Sequence, residues 1–169
     1  SYIKPVTVKF ESDKVRIGHA YYYTLDGSTP DKKSSRYKNP IKVEDSMDIS
    51  VVSYNPKGES TEIGVYSYII NHELAKQLEN ALNDAQQLYD NTEVGTEVGN
   101  CIEGAKEEFA PFIERANELM KRQVVTSDEA YWVLDELIAA TEYFNLKIIV
   151  PTDRTALQNE INKARQLLD

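Results

Sequence analysis

The chain is short of the residue types from which disulfide frameworks, metal centres and nucleophilic active sites are built. Its single cysteine, Cys101, cannot form an internal disulfide or a thiolate metal cluster, and it leaves the redox compartment undecided. His19 and His72 are the only histidines, and no serine or cysteine stands in a nucleophile-elbow or Cys/His pattern. Seven glycines and six prolines among 169 residues, of which 41% are hydrophobic, argue against disorder. We expect a folded protein with no cofactor and no enzyme active site.

Basic clusters and long apolar runs are also missing. With 19 basic against 28 acidic residues, a net charge of −9, the chain lacks the clustered lysines and arginines that nucleic acids and anionic membranes require. No stretch approaches the roughly 20 apolar residues of a membrane-spanning helix, so membrane insertion is not expected. The sequence starts without a methionine or a signal-peptide pattern and stops at Asp169 within an expected helix. We therefore expect a piece excised from a longer reading frame.

The composition changes near Asn71. Residues 1–71 hold ten basic and nine acidic side chains and eight of the eleven tyrosines, whereas residues 72–169 hold nine basic and nineteen acidic side chains. Short β-prone runs at 6–10, 19–24, 47–54 and 64–70 are separated by turn signals such as Asp26-Gly27. They predict an antiparallel β-sandwich over residues 1–70.

Alternation along the predicted strands assigns side chains to the two faces of a sheet. Tyr21, Tyr23 and Leu25 share one face, and Tyr22 and Thr24 share the other. A domain of about seventy residues has a marginal core on size grounds, so buried tyrosines are expected to supply much of its apolar area.

The second part changes to a 3.6-residue period and predicts a three-helix bundle over residues 71–150. Pro111 does not change the phase of the second stripe, which indicates a kinked but continuous helix. Thr126 and Glu129 form a capping-box pattern at the start of the third helix. The three stripes are Leu74, Leu78, Ala81, Leu82, Ala85, Leu88 and Tyr89; Ile102, Ala105, Phe109, Phe112, Ile113, Ala116, Leu119 and Met120; and Ala130, Val133, Leu134, Leu137, Thr141 and Phe144.

An internal repeat at an offset of 79 residues relates the first helix to the end of the chain. Residues 151–169 are interpreted as the first helix of a truncated second repeat, as a fourth helix packed on the bundle, or as an extension of the third helix across Pro151. The repeat leaves these alternatives open. Its matching pairs are Leu78 with Leu157, Leu82 with Ile161, and Ala85 with Ala164.

One stretch of the first part is characteristic of a known module. Residues 22–30 read Tyr-Tyr-Thr-Leu-Asp-Gly-Ser-Thr-Pro, and Ser35-x-Tyr37-x-x-Pro40-Ile41 follows. Over residues 15–70 the chain resembles the fibronectin-III-like C-terminal domain of chitobiases and β-hexosaminidases, which is also attached to bacterial α-fucosidases. The resemblance implies an Ig/fibronectin-III-like β-sandwich that accompanies a catalytic domain and carries no catalytic residues.

The helical stripes resemble a second module, the FIVAR ("found in various architectures") bundle of Gram-positive and Bacteroides surface proteins. That bundle often stands beside glycoside hydrolase or sugar-binding domains. Together the two resemblances imply a bacterial, multidomain, carbohydrate-active protein that is secreted, periplasmic or held at the cell surface. The positions that carry the second resemblance are Leu78, Leu82, Ala85, Ile113, Ala116, Leu119, Thr126, Glu129, Leu137 and Ala140.

Carboxylates, which glycoside hydrolysis requires in pairs, are abundant but are interpreted as solvent-exposed. Glu107/Glu108 and Asp135/Glu136 lie among polar positions of the predicted helices. The stretch 26–31 lacks the alternating oxygen ligands of a calcium loop, so no metal site is predicted there. We expect a structural turn, in which Asp26 accepts local N–H bonds.

Aromatic side chains are the candidates for carbohydrate binding, because the C–H faces of sugar rings stack on aromatic surfaces. In the sandwich these are Tyr22, Tyr37 and Tyr54, provided that Tyr21 and Tyr23 point inward. Core or inter-domain packing is the other interpretation of these rings.

On the third helix, Trp132 and Tyr143 lie opposite the apolar stripe. They are interpreted as a docking patch for the β-domain, a neighbouring module or a glycan, or as a surface buried under residues 153–169. The predicted function is a non-catalytic accessory fragment that acts as structural spacer and interaction module beside a catalytic domain of its parent. The alternative is a carbohydrate-binding module that uses these aromatic side chains.

Overall fold

The computed structural model describes residues 1–10 and 18–151, within which the chain forms six strands followed by three helices. This order confirms the predicted fold class, a β module followed by a helical bundle. The interpretations of the repeat after Pro151 concern residues outside this described part. The elements are β1 (Val6–Val8), β2 (Ala20–Thr24), β3 (Ser35–Arg36), β4 (Ile41–Val43), β5 (Met47–Tyr54), β6 (Gly64–Tyr68), α1 (His72–Asn91), α2 (Ala105–Lys121) and α3 (Ser127–Asn145).

The β module consists of two antiparallel sheets. β1 pairs with β4, and the larger sheet has the order β3-β2-β5-β6. Tyr23 lies opposite Val51 and Tyr66 lies opposite Ile49, so alternation brings these four residues to the same, inner face. β3 and β4 are absent from the predicted strands, because segments of two or three residues carry no periodic signal. The buried core between the sheets contains Val6, Ile41, Val43, Ile49 and Ile70.

The tyrosines of β2 alternate between the two faces as predicted. The ring centroid of Phe10 lies 6.5 Å from that of Tyr21 and 6.1 Å from that of Tyr23 on the inner face. On the outer face Tyr22 meets Tyr54 edge-on at 5.7 Å. Aromatic contacts therefore supply part of the packing on both sides of this small sheet.

The helices pack around an apolar core in which the rings of Phe109 and Phe144 stack at 4.7 Å. The helix α2 continues through Pro111, and the capping box at Thr126 is formed. One stripe position is wrong: Ile102 lies before the helix and is 45% exposed. The physical reason is Gly104, whose φ of +83° ends the preceding loop and lets α2 begin only at Ala105.

Cys101 is deeply buried. Its side chain is fully enclosed, and its N–H donates to the Glu93 carbonyl at 2.8 Å. The thiol is thus a small apolar group of the bundle core. Among the described helices, none combines the length and the apolar character needed to cross a membrane.

Candidate functional site

The junction between the β module and the bundle is formed by the first residues of the chain. The Tyr2 N–H donates to the Ile69 carbonyl at 2.9 Å, and the Asn71 N–H donates to the Tyr2 carbonyl at 2.8 Å. The next residue, Ile3, is bonded to the bundle. Its N–H donates to the carbonyl of Val125, in the loop between α2 and α3, at 3.0 Å. One short segment is therefore hydrogen-bonded to the end of the β module and to the bundle at once.

The side chains of this segment continue the contact with the bundle. Ile3 is 2% exposed and belongs to the bundle core, not to the core of the sandwich. The Lys4 ammonium donates to the carbonyls of Met120 and of Arg122, the latter at 2.9 Å. A cation at the C-terminal end of α2 also complements the helix dipole. Because β1 begins at Val6, little chain is left between the two cores to act as a hinge.

A second set of contacts joins the β4–β5 turn to the start of α1. His72 Nε2 lies 3.0 Å from Asp45 Oδ1, and the Ile70 N–H donates to the Ser46 hydroxyl at 2.9 Å. The Asn71 side chain caps α1 by accepting the Leu74 N–H at 2.9 Å. The chain thus passes from the sandwich into the first helix without a separate linker.

The five aromatic residues predicted for carbohydrate binding lie in three separate places. Tyr22 and Tyr54 share the outer face of the larger sheet, while Tyr37 is half-buried and packs against the sandwich core. Trp132 and Tyr143 are 56% and 51% exposed on α3. The geometry does not bring the five together into one surface, and a binding role for each stays a prediction.

Each of these five rings already packs against a group of the chain. Cations cover three of them, and the other two meet aromatic neighbours. A sugar stacking on any of them is therefore limited to the remaining ring face. The contacts are Lys32 Nζ at 4.8 Å from the Tyr54 centroid, Arg115 Cζ at 5.3 Å from Trp132, Lys147 Nζ at 4.5 Å from Tyr143, Phe10 stacked at 4.4 Å on Tyr37, and Tyr54 edge-on at 5.7 Å to Tyr22.

A second aromatic surface, which we call the sandwich cleft, has a volume of about 340 Å³. It lies on the inner face of the larger sheet, beside the region where Ile49 is fully covered, and Tyr66 at its edge is 55% exposed. The cleft is not among the sequence-based predictions, because Tyr66 and Tyr68 acquire their place only through the register of β6 with β5. It is lined by Val8, Lys9, Phe10, Tyr21, Ile49, Val51, Tyr66 and Tyr68.

Two local features shape the walls of the sandwich cleft. The ring of Tyr66 lies back over Gly64, where an added Cβ would stand 2.9 Å from the Tyr66 Cε2 atom. Only glycine leaves room for this ring position. On the opposite wall, the Phe10 N–H donates to the Tyr37 hydroxyl at 3.2 Å while the two rings stack.

The polar groups among the described residues that line the sandwich cleft are mainly tyrosine hydroxyls. Burial raises the pKa of the Tyr68 hydroxyl above its usual value, with further contributions from the hydroxyls of Tyr2 and Tyr66. The Tyr68 side chain therefore stays a neutral donor and acceptor at physiological pH. Within the described part of the chain, Lys9 is the one charged residue that lines the cleft, and it is exposed.

A third surface is an apolar groove of about 370 Å³ between α2 and α3, with Phe112, Ala139 and Tyr143 among its lining residues. Glu136 at its edge pairs with Arg115. Of the other predicted carboxylate pairs, Glu107, Glu108 and Asp135 are solvent-exposed. In the part of the chain that is described, no three metal-ligating side chains come together.

The stretch around Asp26 forms the predicted turn. Its carboxylate accepts the Ser28 N–H at 3.0 Å, and Gly27 has a φ of +78°. Hydrogen bonds from the Ser28 hydroxyl and N–H lower the pKa of Asp26 below its usual value. The carboxylate is thus engaged within the turn.

The fold and its sites define a small antiparallel β module fused to a helical bundle. Residues 1–65 match the family described as the chitobiase/beta-hexosaminidase C-terminal domain, a non-catalytic domain, and the match supports the resemblance seen in the sequence. It covers β1 to β5 and ends within β6, before the first helix. No curated protein matches the chain. The FIVAR resemblance of the bundle stays a prediction.

Proposed function

We propose that the chain is a non-catalytic accessory fragment of a secreted, multidomain carbohydrate-active protein, in which it holds neighbouring domains at a fixed distance and orientation. The observation that carries this function is the junction, where Ile3 is buried in the bundle core three residues before β1 begins. Inter-domain motion is the default when two domains are joined by a polar linker. Here a buried side chain and main-chain hydrogen bonds replace that linker.

The family that residues 1–65 match supports a proposal for the class of the parent protein. We propose a glycoside hydrolase such as a chitobiase, a β-N-acetylhexosaminidase or an α-fucosidase, with its catalytic domain as the immediate partner of the β module. The place of action is outside the cytoplasm, in the periplasm, in the medium or on the cell surface. The acidic, FIVAR-like bundle extends the module away from that partner, and its like charges disfavour self-association at low salt.

A distance measurement between spin labels tests the rigid connection. Labels at Lys42→Cys in β4 and Gln87→Cys in α1 are both on exposed positions, while the buried Cys101 is shielded from the reagent. We expect one narrow distance distribution by double electron–electron resonance. Ile3→Ala should broaden it, whereas Ile63→Ala, at a position that is 44% exposed, should not. A broad distribution in the unsubstituted protein would refute the fixed geometry.

Carbohydrate binding is the second candidate function, and the exposure of Trp132 and Tyr143 on one helix favours it. An exposed tryptophan with a cation on one face still offers the other face to a sugar ring. The same reasoning applies more weakly to Tyr22 and Tyr54, which touch each other on the outer face of the sheet. Loss of sugar binding in Trp132→Ala would assign the activity to the bundle.

A further inference from the structure

The sandwich cleft has the dimensions of a site for one or two sugar rings. Small-molecule sites in proteins have volumes of roughly 300–1,000 Å³ and are lined mostly by apolar and aromatic side chains with a few polar groups. The cleft, at about 340 Å³, lies at the lower end of that range. Val51 of the central strand β5 lines it together with the fully buried Ile49, and the other lining residues come from the end of β1 and the two residues after it, from β2 and from β6.

The lining suits an uncharged, amphipathic ligand, because its polar groups are mainly tyrosine hydroxyls and Lys9 is exposed, so that its ammonium can stay in water. A pyranose ring has an apolar C–H face and a rim of hydroxyl groups. Tyr21, Tyr66 and Tyr68 each offer an aromatic surface together with a hydroxyl that can donate and accept a hydrogen bond. Among the described residues that line the cleft there is no carboxylate to pair with a cationic ligand.

One wall of the cleft is held in place by contacts within the chain. Phe10 is fixed by its stacking and hydrogen bond with Tyr37, while Gly64 on the other side leaves room for the ring of Tyr66. A side chain already held in its bound position loses less conformational entropy on binding. In the cleft this advantage applies to Phe10, whereas Trp132 and Tyr143 on the bundle each share one ring face with a cation.

We propose that the sandwich cleft is a binding site for a neutral pyranoside, with Tyr66 as the stacking ring and Tyr21 and Tyr68 as hydrogen-bonding partners. The inference rests on the proposed function in one respect, which is the choice of probes. These are β-1,4-linked oligosaccharides of N-acetylglucosamine and of glucose. Its residues differ from those predicted from the sequence. Through the cleft, the accessory fragment would bind the polysaccharide that the parent protein degrades.

The test is titration calorimetry of the full chain with tri-N-acetylchitotriose and with cellotriose. We expect saturable binding to at least one probe, weakened about tenfold or more by Tyr66→Ala, which corresponds to about 1.4 kcal/mol. Gly64→Ala keeps the ring but displaces it, and it should weaken binding in the same direction. Because Tyr66 is half-exposed, the Tyr66→Ala protein should have a melting temperature close to that of the unsubstituted chain.

Two matched controls make the outcome decisive. Tyr22→Ala removes the neighbouring tyrosine of β2 on the outer face, and Trp132→Ala removes the exposed ring on α3. Both variants should bind the sugar probes as tightly as the unsubstituted chain does. The inference fails if neither probe binds up to about 10 mM, if binding survives Tyr66→Ala, or if a control abolishes it. None of these results affects the distance distribution between the modules, so a failure of the cleft is distinguishable from a failure of the rigid connection.

Discussion

At the start of α3 a single carboxylate engages several donors at once. Glu129 Oε2 accepts the Thr126 N–H at 2.9 Å, and Oε1 lies 2.8 Å from the Arg122 guanidinium. The Thr126 backbone bond is the largest cause that lowers the pKa of Glu129 from 4.5 to about 2, followed by the bond from Arg122. Because the folded-state pKa lies below the unfolded value, this carboxylate stabilises the fold above about pH 4.5, and the contribution is lost as the pH falls toward 2.

Glu129→Gln keeps an acceptor for the Thr126 N–H but removes the charge, so we expect a lower melting temperature at pH 7. The difference in melting temperature between this variant and the unsubstituted chain should shrink between pH 4.5 and pH 2, where the Glu129 carboxylate becomes protonated. Thermal unfolding followed by circular dichroism from pH 2 to 8 measures this. Glu142→Gln, on an exposed turn of the same helix, is the control. A difference that stays constant across the range would show that the charge of Glu129 is not what stabilises the cap.

Among the helices, α2 lacks one internal backbone hydrogen bond, because it contains a proline. Pro111 is the seventh residue of the helix, where it has no N–H to donate to the carbonyl of Glu107. Since Pro111 is exposed, Pro111→Ala should restore this bond without disturbing the core. We expect a stabilisation of up to about 3 kcal/mol, measured by urea unfolding. Pro40→Ala, in the loop before β4, serves as control. A destabilised Pro111→Ala protein would mean that the proline at this point is needed for packing.

The elements that repeat their pattern over several turns are those that the sequence predicts. All three helices follow from stripes of apolar residues, and β5 occupies the predicted span 47–54 because its eight residues form a β-prone run that is followed by a turn signal. What escapes prediction depends on tertiary context. Ile3 belongs to a segment too short to show any period, and nothing local indicates that the bundle buries it. The sandwich cleft likewise depends on the register that brings Tyr66 opposite Ile49, a long-range property.

For the molecule as a whole, the junction determines how the two modules unfold. Independent domains joined by a linker unfold in separate transitions. Here Ile3 extends from the sandwich into the bundle core, and the N–H and carbonyl groups around it pair with both modules. Unfolding of either module therefore removes contacts that the other one uses. We expect the unsubstituted chain to show a single calorimetric transition, with equal calorimetric and van't Hoff enthalpies.

Ile3→Ala should separate that transition into two. The substitution removes a side chain that is 2% exposed, at a cost of about 2–5 kcal/mol. That loss falls on the contact between the modules more than on either core. Differential scanning calorimetry measures both the number and the midpoints of the transitions. Val43→Ala, at a fully buried position inside the sandwich, should lower the midpoint by a comparable amount and keep one transition. If Ile3→Ala also unfolded in one transition, Ile3 would be an ordinary core residue, and the coupling would have to come from the contacts around Asp45 and His72.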